Sequence, residues 1–296
     1  MFAVYKKELR SYFTSMIGWV FIAIFLVLAS LYFMVYNLMN GVTNFSYVYQ
    51  GIEFFFVVLL VPVLTMRIVA EENRQKTDQL LYTSPVSIGK IIVGKYMALL
   101  TLFGFAMLIV CTYPLILNGL VKKVATGVES VDFAIAYGST LGFFLLGAAY
   151  IAIGLFISSL TESQVIAAVA SGLIMIFTYL MSSIAQMLPS DHIFTFWFLA
   201  GLIVVLCVGL YFWIHNAWMT AIIGIVAEAI LVTMYLLFTS KFDALIGNTL
   251  GAVSIIERYD NFLLGIFDVS ALVYYISVSF LFVFMTIQRI KKKRYN

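Results

Sequence analysis

Apolar residues run along this chain in blocks of about 20, the length a helix needs to cross the hydrocarbon core of a bilayer. The blocks fall at 17–39, 52–70, 91–118, 136–160, 163–188, 192–213, 217–239 and 268–290. This pattern predicts an all-α, polytopic membrane protein with six to eight transmembrane helices, eight being favoured. The pair 192–213 and 217–239 is joined only by "IHNAW", a short and barely polar turn. Read as one buried hairpin or re-entrant element, that pair leaves six spans. Either even number puts both termini on the same side.

Three segments break the apolar pattern. In residues 1–16, Phe2, Tyr5, Leu9, Tyr12, Phe13 and Met16 recur at helical spacing, with Lys6, Lys7, Arg10 and Thr14 opposite. That predicts an amphipathic helix lying in the membrane interface, its basic residues toward anionic lipid. The stretch "RIVAEENRQKTDQLLYTSPVSIGKIIVGKY", Arg67 to Tyr96, is the most polar part of the chain. A helix is predicted over Val69–Tyr82, with Glu71, Glu72 and Arg74 near one end, Thr77 in the middle, and Leu80 and Leu81 as an apolar patch. Ser84-Pro85 ends it, because the residue before proline is pushed out of helical geometry. Ser87 then caps the next helix. A mixed-charge helix between two spans is a handle for a soluble partner; the alternative is a solvated loop. The third segment, 241–267, mixes charges with Phe, Leu and Ile, and Asp268 stands near the start of the last span. Irregular backbone exposed to lipid is excluded from the hydrocarbon. This piece therefore lies at the surface or re-enters against protein.

Composition agrees with the pattern. The chain is 64% hydrophobic and 10% charged, where a soluble domain is about 25% charged. Nothing reads as a linker, a repeat or a low-complexity tail, so 1–296 is one transmembrane domain. The apolar run from Ile17 to about Met39 is too long for the h-region of a signal peptide. Cys111 and Cys207 both lie in apolar runs and read as small buried hydrophobes. Charge placement sets orientation. With the N-terminus inside, 13 of the 17 basic residues face inward, and Lys122, Lys123, Lys241 and Arg258 remain outside. The positive-inside rule then predicts two cytoplasmic termini and a cytoplasmic 67–90 segment.

Candidate chemistry is sparse. GKIIVGK, Gly89 to Lys95, fits the spacing of a phosphate-binding loop, but Tyr96 follows where Ser or Thr should hold magnesium. No strand leads into it, and Ile91, Ile92 and Val93 continue into a span. Its glycines read as close helix contacts and its lysines as interfacial. "EENR", Glu71 to Arg74, resembles the paired glutamates of intramembrane glutamic proteases. The arginine comes one position early, however, and neither His192 nor His215, the only histidines, sits well inside a span. No base with a positioned partner can be named, so no catalytic, cofactor-binding or metal-ligating set is expected. Glu228 lies mid-way along an apolar run. A carboxylate there costs about 2.5–3.5 kcal/mol on insertion scales and is a functional candidate. It reads as a protonated acid bonded to a neighbouring helix, or as a proton or cation site. Glu53 is nearer the outer edge of its run, where water could hydrate it.

"MFAVYKKELRSYFTSMIGWVFIAIF", followed by the Arg67–Tyr96 stretch, resembles the permease subunit of type-2 ABC transporters. The likeness is to the branch that includes the gliding-motility permease and the permease linked to nitrous-oxide reductase maturation. That family carries a cytoplasmic coupling helix with the pattern A-E-E-x-x-x-G-T-x-E-x-L-L-x-[ST]-P. Ala70, Glu71, Glu72, Thr77, Leu80, Leu81, Ser84 and Pro85 match it. Lys76 stands where the family has glycine, and Gln79 where it often has glutamate. "YDNFLLGIFDVSALVYYISVSFLFVFMTIQRI" is similar to the family's last loop and final helix. The resemblance covers about 1–190 and 257–290, and the 192–239 pair looks like an addition to a six-span family.

The resemblance implies an ABC exporter permease in the cytoplasmic (inner) membrane of a bacterium. It implies pairing with a second permease as a homo- or heterodimer, and ATPase subunits on the cytoplasmic face that bind ATP and magnesium in trans. An extracytoplasmic partner is possible on this reading; nucleic acid is not expected. Glu71, Glu72, Arg74, Thr77, Leu80, Leu81, Ser84 and Pro85 become the candidate ATPase-coupling residues. Two other readings stay open: an ion-coupled secondary transporter centred on Glu228, and a membrane anchor for an outer-face complex.

Overall fold

The computed structural model describes residues 1–76, 87–124, 130–189, 191–214, 217–237, 242, 245, 247, 249, 251 and 254–295. Every regular element among them is a helix. In chain order the α-helices are α1 (Phe2–Thr14), α2 (Met16–Tyr32), α3 (Ser46–Phe55), α4 (Val61–Thr65), α5 (Ala70–Gln75), α6 (Ile88–Val110), α7 (Tyr113–Val124), α8 (Phe133–Leu160), α9 (Gln164–Met187), α10 (His192–Ile214), α11 (Ala217–Leu237), α12 (Asp260–Leu263) and α13 (Val269–Tyr295), with π-helical turns at Phe33–Met39 and Phe56–Leu60. Seven helical stretches among the described residues are long and apolar enough to cross a membrane. The chain is a polytopic α-helical membrane protein. The remaining expected span, 192–213, is helical as α10, and its described residues supply a shorter apolar helix, His192–Gly201.

The chain divides into two compact units, Met1–Tyr179 with Arg258–Asn296, and Leu180–Glu257. The first is built around α8. This helix is apolar on all sides, which is the pattern of a buried helix, and Phe143, Leu146, Tyr150 and Leu155 are fully covered. Small residues along it let neighbours approach closely, as membrane helix packing requires. A Cβ on Gly147 would strike the Phe103 ring, one on Gly142 the Phe262 ring, and one on Gly154 the Thr65 side chain. Phe25 of α2, Phe56, Phe103 of α6 and Phe143 of α8 form the centre of this unit. Phe56 stacks on Phe103 with centroids 4.8 Å apart and leans on Phe143 at 4.9 Å.

The second span is not one uniform helix. A π-helical turn, Phe56–Leu60, separates α3 from α4, whose second residue is Pro62. Proline has no N–H to return to the preceding turn, and the ladder above it runs in the wider register. The span also starts earlier than its hydropathy predicts, at Ser46, whose N–H is capped by Asn44 Oδ1 at 2.9 Å. Glu53 therefore sits two turns inside and is only 4% exposed. The expectation of a hydrated Glu53 is thus corrected.

Two aspartates start helices, Asp268 where the sequence suggests and Asp132 where it had not been singled out. Asp132 Oδ1 accepts from the N–H groups of Ala134 and Ile135 at the head of α8. Asp268 Oδ1 does the same for Ser270 and Ala271 of α13, and Asn261 donates to its other oxygen at 2.9 Å. The Asn261 amide, followed by these backbone donors, holds the Asp268 carboxyl below the usual carboxylate range. The part of the last loop belonging to this unit re-enters against protein. Tyr259 and Phe262 are fully buried, and the Tyr259 hydroxyl donates to the Ser139 carbonyl of α8 at 3.2 Å.

In the second unit α10 and α11 pack side by side. Phe196 meets Tyr235 at 4.8 Å, and a Cβ on Gly224 would stand 3.1 Å from Cys207 Sγ. Trp218, Ile222 and Ile225 are exposed on α11, as residues facing lipid would be. Cys111 and Cys207 are both half-buried free thiols, less covered than expected.

Candidate functional site

The polar 67–76 segment meets α1 and α6 at a buried ion cluster. Lys95 is placed by α6 two turns into an apolar helix, and its side chain is 1% exposed. An ammonium group there must be paired. It has three N–H donors, and three acceptors surround it: Glu72 Oε1 at 2.8 Å, the Ile68 carbonyl at 2.9 Å and Glu8 Oε1 at 3.2 Å. Lys7 stands at the edge of the cluster, 3.4 Å from Glu8 and 3.5 Å from Glu72. Burial works to lower the Lys7 pKa, but the Glu8 and Glu72 carboxylates outweigh it and hold the group above its ordinary range.

The packing of α1 on α6 makes the cluster possible. Gly94 precedes Lys95, and a Cβ there would sit 3.1 Å from the Met1 carbonyl and 3.4 Å from the Tyr5 nitrogen. One turn from Glu8, Tyr12 is buried and donates to the Leu64 carbonyl at 3.0 Å. Burial pushes its phenol pKa up, with the Glu8 charge adding to the effect.

Helix α5 is tied to the rest of the unit on its other sides as well. Ser158 Oγ of α8 accepts from the N–H groups of Val69 and Ala70 and donates to the Met66 carbonyl. Asn73 donates to the Thr161 carbonyl at 3.3 Å and accepts from Lys293 of α13 at 3.1 Å. Arg67 pairs with Glu71 one turn on, and Gln75 donates to the other Glu71 oxygen at 3.0 Å. Between α1 and α5 lies a cleft of about 260 Å³, lined by Lys7, Glu8, Ser11, Arg67, Glu71 and Glu72 among others.

Of the sequence-predicted coupling residues, Glu71, Glu72 and Arg74 stand together on α5, with Arg74 exposed. Thr77, Leu80, Leu81, Ser84 and Pro85 lie outside the described residues. Glu228 is half-buried on α11, in the other unit. The predicted helix over Val69–Tyr82 stops at Gln75, because Lys76 takes a left-handed conformation, φ 55° and ψ 20°. This is the helix-ending position that favours glycine. Lys76→Gly is expected to raise stability by about 1 kcal/mol, the strain of a left-handed non-glycine residue. A higher midpoint of thermal unfolding in detergent checks it.

The apparent phosphate loop is helix. Residues from Ile88 onward belong to α6, the Ile91 N–H is bonded to the Ser87 carbonyl, and the Lys95 ammonium is consumed by the cluster. Lys95 is therefore not interfacial, as its spacing suggested. Lys7 turns toward Glu8 and Glu72 rather than toward lipid, and Phe2 and Met16 are exposed at 74% and 81%. Sequence reasoning missed Glu8 and Lys95 as a pair. The available signals were an ionisable residue inside an apolar span and a lone acid among the bases of α1.

No curated protein sequence and no solved structure matches the chain. A family model described as an ABC-2 family transporter protein matches residues 2–193. That stretch contains α1 through α9, and with them the whole described ion cluster except Lys293 at its margin. It is well over half of the chain, so the protein belongs to the ABC-2 transporter family.

Proposed function

We propose that this chain is the permease subunit of an ABC exporter, driven by ATPase subunits that dock on the 67–90 segment. The family match carries the reading. Members of the family work with ABC ATPase partners. The clamping of α5 on α1, α6, α8 and α13 supports it, since a segment that receives force must be joined firmly to the spans that move. Glu71, Glu72, Arg74, Thr77, Leu80, Leu81, Ser84 and Pro85 form the docking and coupling set. The functional unit is a permease dimer in the cytoplasmic membrane of a bacterium, and the cargo crosses between facing spans of the two subunits. The gliding-motility and nitrous-oxide-reductase permeases are the branch it most resembles.

Reconstitution with the copurified ATPase in liposomes tests the class. ATP hydrolysis that requires both subunits supports it, and a permease indifferent to ATPase would sink it. Orientation has its own test. Cysteines at Asp191, Asp243 and Asp260 should be labelled by an impermeant reagent from outside, while those at Lys76 and Lys292 should not. Labelling of position 292 from outside would reverse the topology. For Glu228 we favour the structural role. Glu228→Gln should preserve both insertion and ATP-driven activity, because an amide still hydrogen-bonds. Full loss of activity in well-inserted protein would instead assign it a proton or cation.

A further inference from the structure

Lys95 holds three separate pieces of chain at one atom. Its Nζ meets Glu8 of the interfacial helix α1, Glu72 of α5 and the Ile68 carbonyl that leads into α5, and it is itself carried by α6. It is hydrogen-bonded to Glu8 and to the Ile68 carbonyl and ion-paired with Glu72 at 2.8 Å, and its side chain is 1% exposed. Pulling α5 away from α1 would leave a buried ammonium short of a carboxylate, and a buried carboxylate short of its ammonium. Breaking such a pair is strongly unfavourable when water cannot replace the lost partner. A second lysine reinforces the join, since Lys7 bridges the same two glutamates from the α1 side. Gly94 removes the side chain that would hold α1 off α6. Toward α2 the helical backbone is broken at the extended Ser15, and the join there is a neutral one, with Trp19 Nε1 donating to the Phe13 carbonyl at 2.8 Å.

We propose that Lys95 is a positioning residue that locks α1 to α5, so that the interfacial helix moves as one body with the ATPase-coupling segment. This rests on the exporter reading above. The lock makes α1 part of the lever: displacement of Glu72 is handed to Glu8 through a shared ammonium. An account in which α1 is only a membrane anchor leaves it still while α5 moves.

The test uses the permease with its copurified ATPase in lipid nanodiscs, with Cys111 and Cys207 changed to serine. Spin labels are placed in pairs at Arg10→Cys on α1, Lys76→Cys after α5, and Tyr137→Cys at the far end of α8. Distances are read without nucleotide and with ATP and vanadate. The lock predicts that the 10–76 distance is unchanged, while 10–137 and 76–137 shift together. In Lys95→Met the 76–137 shift should persist and the 10–137 shift should be lost. A merely stabilising Lys95 would lower the unfolding midpoint and leave both shifts in place, which overturns the proposal. So does a nucleotide-dependent change in the wild-type 10–76 distance, which decides the matter even if Lys95→Met fails to insert. If 76–137 does not respond to nucleotide at all, the exporter reading falls and the lock falls with it.

Discussion

Lys95→Ala is expected to cost about 3 kcal/mol of stability while leaving nucleotide binding by the permease–ATPase complex unchanged. The first half follows from the cluster. Removing the ammonium strands Glu8, 8% exposed, beside Glu72, and breaking a buried ion pair from one side costs roughly 3–5 kcal/mol. The lower end applies because Lys7 remains 3.4 Å and 3.5 Å from the two carboxylates and Glu72 is partly open, at 17% of its side chain. The second half follows from the helical backbone of Gly89–Lys95, whose N–H groups from Ile91 onward are bonded back along α6, and from the Lys95 ammonium, which is turned to Glu8 and Glu72. Thermal unfolding in detergent and nucleotide titration of the complex measure the two halves separately. Neutralising the whole set, Glu8→Gln with Lys95→Met and Glu72→Gln, should recover most of the loss, since an uncharged cluster strands nothing.

Glu72→Lys combined with Leu80→Asp is expected to release the ATPase, or to keep it bound with hydrolysis no longer coupled to the permease. Glu72 faces two ways. Its Oε1 is held by Lys95 and Lys7, and it borders the cleft between α1 and α5. A lysine at 72 would place a third cation against those two, and α5 would have to leave its seat. The Leu80 change puts a charge into the apolar Leu80–Leu81 pair of the segment proposed to dock the ATPase. A reversed charge in a packed interface costs several kcal/mol, enough to shift a tight complex to a dissociated one. The permease should still insert, since none of the apolar spans is altered. Gel filtration of the complex and its ATPase rate report the outcome.

The membrane helices were legible in the sequence because hydropathy over about 20 residues is a local property. Asp268 at the start of α13 was legible for the same reason, being read against its own next few residues; Ser87 does stand just before α6, but its side chain makes no capping hydrogen bond there. The pairing of Lys95 with Glu8 was not, because it joins positions 87 residues apart. Hydropathy counts each charge as a cost and cannot see that two of them meet. The π-helical turn Phe56–Leu60 was equally silent, since a register shift has no composition of its own. Lys76 lay between these cases. The resemblance marked it as standing in a glycine position, and only its φ of 55° gives the physical reason for the glycine. For Glu53 the error was one of boundary: a span that begins at Ser46 carries it inward, away from water.

The most direct test of the account is to purify the tagged full-length chain from its native membranes in mild detergent and measure ATP binding and hydrolysis before and after stripping associated subunits. The account predicts that an ABC ATPase comes with the chain, that all nucleotide binding leaves with it, and that Glu72→Lys with Leu80→Asp prevents its recovery. A stripped chain that still bound ATP, and lost it on Lys95→Ala, would contradict the account.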